Sequence, residues 1–117
     1  MIKITLTLFA VLLLFSCTNK NTPSKGISGM PPCLITIIEK IKSDATLKPP
    51  KSVTQYTYKG QPVFYLAMPC CDQYNPVYDG DCNYLGAPDG GITGKGDGKL
   101  PDFFKVATNG RVVWENK

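Results

Sequence analysis

The 117-residue chain contains no histidine. That absence excludes a Ser-His-Asp triad, a Cys–His pair and any His-ligated zinc or haem site. Clustered positive charge is also missing. The formal net charge is only +4 and the lysines are scattered, so no footprint for nucleic acid is present. The apolar run Leu6 to Leu14, broken by Thr7, is too short to span a bilayer, which takes roughly 20 residues. A true phosphate loop is lacking as well. In residues 90–98 (GGITGKGDG), Lys95 is followed by Gly96 where a P-loop needs Ser or Thr, no helix is expected after it, and Asp97 repels phosphate.

The N-terminus carries a clear address. Lys3 supplies a short positive region, the apolar run follows, and Leu14-Phe15-Ser16-Cys17 resembles a bacterial lipobox. The resemblance implies cleavage before Cys17 and lipidation of Cys17. Palmitate-type chains then anchor the protein, because each buried CH2 contributes about 0.8 kcal/mol and two chains already suffice. The expected organisation is a signal peptide over residues 1–16, then Cys17 and a polar tether to residue 30. One small domain over 31–117 completes the chain. The expected location is the bacterial cell envelope, with the outer membrane favoured.

Five cysteines divide into one plus four. Cys17 takes the lipid, and Cys33, Cys70, Cys71 and Cys82 are expected to form disulfides in an oxidising compartment. Of three connectivities, the one with a vicinal Cys70–Cys71 bridge is strained. The other two stay open, and strand parity favours Cys33–Cys70 with Cys71–Cys82.

Pro31-Pro32 is expected to open a helix whose apolar stripe is Leu34, Ile37, Ile38 and Ile41. Ser52 to Tyr58 and Val63 to Met68 read as a hairpin closed by Lys59-Gly60 or Gly60-Gln61. Period-2 alternation puts Val53, Phe64, Leu66 and Met68 on one face, toward the helix, and Tyr56, Tyr58, Val63 and Tyr65 on the other. Phe103–Thr108 and Arg111–Glu115 read as a second hairpin about Asn109-Gly110. Between the hairpins, residues 69–102 hold seven of the eleven glycines and read as a long loop. The expected fold is α+β. One N-terminal helix packs on an antiparallel sheet of about four strands, with a disulfide-stapled glycine-rich loop.

Residues 70–102 carry six aspartates against Lys95 and Lys99, a net of −4. Asp79, Asp81 and Asn83 fit the opening of a calcium loop, and Asp89 and Asp97 are further oxygen donors. The pattern then departs from an EF-hand, with Tyr84 where glycine is needed and Gly90 where a bidentate Glu should stand. Aspartate next to glycine is also ordinary turn chemistry, which is the favoured reading. Glycoside hydrolysis by Asp89 and Asp97 needs a cleft between rigidly held acids, so catalysis is disfavoured. Tyr56, Tyr58 and Tyr65 form a candidate binding face for a protein or glycan, set against simple cross-strand stiffening.

The strings YKGQPVFY (58–65), PCCDQYN (69–75), APDGG (87–91), GKGDG (94–98) and Pro101-Asp102-Phe103 carry a resemblance. They resemble an uncharacterised family of small envelope lipoproteins, found mainly in Bacteroidota, with a domain of unknown function. The resemblance implies a lipoprotein or secreted protein and no known activity. The expected function is a non-enzymatic interaction module with no resident cofactor, and a calcium-binding protein is the alternative. The oligomeric state is left open.

Overall fold

A computed structural model of the protein describes residues 29–70 and 72–117. The expected signal peptide, Cys17, nearly all of the expected tether, and Cys71 lie outside the described residues. The elements run α1 (Pro32–Ser43), β1 (Ser52–Tyr58), β2 (Gln61–Ala67), β3 (Tyr74–Asp79), β4 (Tyr84–Gly90), α2 (Phe103–Val106) and β5 (Thr108–Glu115). The five strands form one antiparallel sheet in the order β4-β3-β2-β1-β5.

The helix α1 starts where proline allows it. Pro32 occupies the first helical turn, where its missing N–H removes no bond, and the Pro31 carbonyl accepts the N–H groups of Leu34 and Ile35. Lys40 and Lys42 in the last turn suit the negative end of the helix dipole. Leu34 and Ile38 are buried against Val53, Phe64, Leu66 and Val113, with Met68 at the margin. The hairpin β1–β2 closes with Lys59 and Gly60, both at positive φ, and Tyr58 pairs with Gln61. Two positive φ values in a two-residue loop match the right-handed twist of the strands.

The expected division of faces holds. A second core of Tyr58, Val63, Val77, Leu100 and Phe103 lies on the face away from α1, with Tyr56 and Tyr65 at its edge. Phe103 is wholly buried there. The sheet is therefore covered on both faces, by α1 on one and by the chain leading into α2 on the other.

Several expectations are corrected. The sheet has five strands rather than about four, and the helix begins at Pro32 rather than at the chain's N-terminus. The long loop 69–102 contains a hairpin, β3–β4. Its strands were hidden by Pro76 and Pro88, and the first of these coincides with a register shift between Asn75 and Val77. Proline is tolerated at such bulges because no ladder N–H is needed there. The Asn109-Gly110 hairpin is also replaced. Thr108–Glu115 is one strand on β1, and one extra residue sits between the pairs Thr57↔Thr108 and Gln55↔Arg111. Asn109 has φ 55°, and the Tyr56 ring lies where a Gly110 side chain would begin, 2.6 Å away. The same dipeptide that closes a hairpin thus makes a bulge. Phe103–Val106 is a short helix and not a strand.

A disulfide joins Cys33 to Cys82, which overturns both connectivities retained from the sequence. The parity argument carried β2 past Met68, but the strand ends at Ala67. The β3–β4 turn instead comes to the start of α1, with the Cys33 sulfur 4.0 Å from the Gly80 carbonyl oxygen. Cys82 packs against the core beneath the helix.

Candidate functional site

The acidic, glycine-rich stretch is a clasp on the edge of the sheet. After β4 the chain turns at residues 91–94, where Gly94 N–H donates to the Gly91 carbonyl, and runs back along the outer side of β4. Gly96 N–H donates to the Gly90 carbonyl and Asp97 N–H to the Ala87 carbonyl, each at 3.0 Å. An edge strand left open invites pairing with other chains; here the chain's own backbone occupies part of that edge. The contact is close enough to require glycine. A Cβ on Gly96 would lie 1.9 Å from the Ala87 oxygen, and one on Gly90 would lie 2.4 Å from the Gln73 oxygen.

The aspartates hold this clasp. Asp97 Oδ1 accepts the N–H groups of Ala87 and Lys99 at 3.1 and 3.0 Å, and Oδ2 accepts the Tyr84 hydroxyl. The Tyr84 hydroxyl, then the Ala87 N–H, draw the Asp97 carboxyl down to about 2. Partial burial, then the bond to Asp97, push the Tyr84 hydroxyl up to about 12. Both shifts favour the same charge state, an ionised acid bonded to a neutral phenol. The stability contributed by Asp97 is full above its ordinary value of 3.8 and is lost as the pH falls through about 2. That of Tyr84 is full below 10.0 and is lost as the pH rises through about 12. The Asp97→Asn variant is expected to show a shallower acid limb of melting temperature against pH. A limb as steep as wild type counts against the assignment.

Asp89 serves the interior. Its carboxylate accepts the Tyr65 hydroxyl at 3.1 Å and the Asn75 side-chain amide at 3.0 Å, and Asn75 Oδ1 accepts the Met68 N–H at 2.8 Å. Burial, then the Asp89 charge, raise the Tyr65 hydroxyl well above its ordinary range. Asp79 folds the β3–β4 turn by accepting the Asp81 and Asn83 N–H groups at 2.9 Å and the Asn83 amide at 3.0 Å. The Asn83 N–H, more than any other group, holds its carboxyl below the ordinary value. Asp81 and Asn83 are exposed on that turn.

Four of the five oxygen donors expected for calcium are therefore engaged in different places, and the fifth, Asp81, is exposed on the β3–β4 turn. Asp79 and Asn83 bond each other at one turn, Asp89 lies beneath Tyr65, and Asp97 locks the returning segment. Among the described residues, no three Asp, Glu, Cys or His side chains gather as a metal group.

The tyrosine face is also less open than expected. Tyr58 is buried, donates its hydroxyl to Asp102 at 3.1 Å and packs on Phe103 with ring centroids 5.2 Å apart. Tyr56 and Tyr65 are half-buried against the same ring, at 5.4 and 6.5 Å. What stands out instead is Ile92, 91% exposed at the turn of the clasp, with Tyr74 and Phe104 about half exposed. Beside β3, Lys51, Met68, Pro69, Cys70, Gln73 and Asn75 line an open hollow of about 230 Å³.

Sequence reading missed Asn75 and Tyr84 as partners of the aspartates, and Asp102 as the partner of Tyr58. Their place within the motif strings was the available signal. Those strings are now seen to build the covered sheet: Tyr58 and Tyr65, Asn75, Asp89 with Gly90, Gly96 with Asp97, and Asp102 with Phe103. A family profile described as a domain of unknown function, DUF6970, matches residues 39–116. The chain belongs to this family. The DUF6970 match takes in the second half of α1 and all five strands, and leaves Cys33 outside it. No curated protein and no solved structure matches the chain. Among the described residues, no helix is long and apolar enough to cross a membrane.

Proposed function

We propose that this protein is a non-enzymatic interaction module, held by a lipid on Cys17 in the bacterial cell envelope. The lipobox-like Leu14–Cys17 supports the anchor, and the motif strings resemble envelope lipoproteins of Bacteroidota. Thr18 after Cys17, in place of the Asp of the enterobacterial inner-membrane signal, favours the outer membrane. The observation that carries binding over catalysis is the condition of the acids. In a chain without histidine, Asp79, Asp89 and Asp97 are each committed to internal donors. An acid that satisfies turn and strand groups is poorly placed to shuttle protons to a substrate.

The contact surface of the module is the turn of the clasp. Ile92 is presented to solvent on a turn closed by a backbone hydrogen bond, so little order is lost when it is covered. Burying such a side chain contributes about 1.5–3 kcal/mol. Its partner is an envelope protein or glycan; the neighbouring Tyr74 suits either, offering an apolar ring and a polar tip.

Two measurements test the reading. In cells fed a tagged fatty acid, the wild type is expected to carry label and to sediment with membranes, and Cys17→Ser is expected to lose both. An unlabelled wild type contradicts the anchor. In envelope crosslinking, Ile92→Asp is expected to lose adducts that the wild type forms, at an unchanged melting temperature. Equal adducts from both chains remove the clasp turn as the contact.

A further inference from the structure

Basic residues that are scattered along the chain collect on one side of the fold. Residues 70–102, with a net charge of −4, build β3, β4 and the clasp. Residues 29–69 and 103–117 carry eight Lys or Arg against Glu39, Asp44 and Glu115, and build α1, β1, β2, α2 and β5. The strand order β4-β3-β2-β1-β5 then puts the acidic half at the β4 edge and the basic half at the β5 edge. Four strand spacings, roughly 19 Å, separate the two edges.

Three features meet at the β5 edge. The first is its cations. Arg111 is exposed on β5 and donates to Gln55 Oε1 at 3.2 Å. Asn116 N–H donates to the Lys51 carbonyl at 2.8 Å, which brings Lys51 and Lys117, both exposed, to one end of the strand. Lys105 is exposed on α2, which leads into the other end. Glu115 is the acid on this strand. The second feature is apolar: Val112 is 56% exposed and Val106 46%. The third is the arrival of the chain. A Cβ on Gly29, the first described residue, would lie 3.1 Å from an Arg111 nitrogen and 3.8 Å from Val113 Cγ1. The chain from Cys17 thus enters the domain beside its basic edge, and the twelve residues from Cys17 to Gly29 reach at most about 40 Å.

We propose, on the reading that Cys17 carries the lipid, that the β5 edge faces the membrane and lies on anionic phospholipid headgroups. A lipid anchor alone leaves the domain free to turn, and the charges select the side that lies down. Each Lys or Arg near an anionic leaflet strengthens binding about fivefold, and the attraction fades within a Debye length, about 8–10 Å. Valine side chains among cations suit the headgroup boundary. The pairing of β5 with β1 shifts register twice, and bulges of that kind blunt an edge against the addition of another strand. The β5 edge is therefore a surface rather than a template for a sixth strand. The acidic clasp, on the opposite edge, points away from the membrane and presents Ile92 to partners.

The test uses the full lipoprotein in two kinds of vesicle, phosphatidylcholine alone and an equal mixture of phosphatidylcholine with phosphatidylglycerol. Flotation reports attachment. Graded labelling with a membrane-impermeant amine reagent, mapped by peptide, reports the face. In the anionic vesicles Lys51, Lys105 and Lys117 are expected to react several-fold more slowly than in the neutral ones, and Lys95 and Lys99 at unchanged rates. Salt at about 0.5 M is expected to erase the difference. Arg111→Glu combined with Lys117→Glu is expected to return Lys51 and Lys105 to their neutral-vesicle rates at an unchanged melting temperature.

Equal labelling in both vesicles, by a chain that floats with both, overturns the membrane face and leaves the anchor standing. Flotation with the anionic vesicles alone keeps the face and removes the anchor, and flotation with neither removes both. Slowing that extends to Lys95 and Lys99 and grows with protein concentration marks the basic edge of one copy on the acidic edge of another, and overturns the proposal.

Discussion

Gly96→Ala is expected to destabilise the protein by about 4 kcal/mol, near the top of the range for single substitutions. Gly96 has φ 71°, a conformation costing an L-residue about 1–2 kcal/mol. The larger part is steric. The new methyl carbon would sit 1.9 Å from the Ala87 carbonyl oxygen and 2.8 Å from the Asp89 nitrogen, so the clasp must leave the edge of β4. Its hydrogen bonds from Gly96 and Asp97 go with it. Gly94→Ala is the matched control. Gly94 has φ 73° but nothing within 4 Å of the would-be Cβ, so only the backbone cost of about 1–2 kcal/mol is expected. Denaturant unfolding of the two variants side by side separates strain from collision. Equal losses contradict the clasp.

Replacing Cys33 and Cys82 together by alanine is expected to cost a similar amount. The bridge closes a loop between residues 49 apart, and chain entropy assigns such a crosslink about 4 kcal/mol. For a domain of this size that is roughly a 15–30 °C fall in melting temperature. Small domains bury modest cores and lean on crosslinks, and here the crosslink also fastens α1 over Val53, Phe64 and Leu66. A double variant that melts within a few degrees of wild type contradicts this. The helix would then be held by its apolar stripe alone.

Local pattern made much of the α1–β1–β2 layer legible. The Pro-Pro start, the i, i+3, i+4 stripe and the alternation in residues 52–68 are local signals. They fixed the helix, the hairpin and both faces of the sheet. The second hairpin was not legible because its strands break the local rules. Pro76, Gly86 and Pro88 read as loop, and only the bulged pairing of β3 with β4 makes room for them. Asn109-Gly110 was misread because a bulge and a hairpin turn ask for the same residues, and the choice depends on β1, far away in sequence.

The aspartates show the same limit from the side of the site. Asp-Gly pairs look alike whether they cap turns or ligate an ion. What decides is which donors arrive. Asp89 receives Tyr65 from 24 residues away, and Asp97 receives Tyr84 from 13. The disulfide was lost to an overextended rule, since alternation was continued through Pro69 beyond the end of β2.

The central claim is that the acidic, glycine-rich stretch is internal structure, whose aspartates serve backbone and side-chain donors of this chain. A thermal melt with the disulfides intact, in millimolar calcium and again in EDTA, tests it most directly. Binding to the native state raises stability by RT ln(1 + [L]/Kd), so a site of micromolar affinity appears as a shift of several degrees or more. Superimposed curves are expected. A melting temperature that rises with calcium and falls with chelator, and loses that response in Asp97→Asn, would contradict the account and make the clasp an ion site.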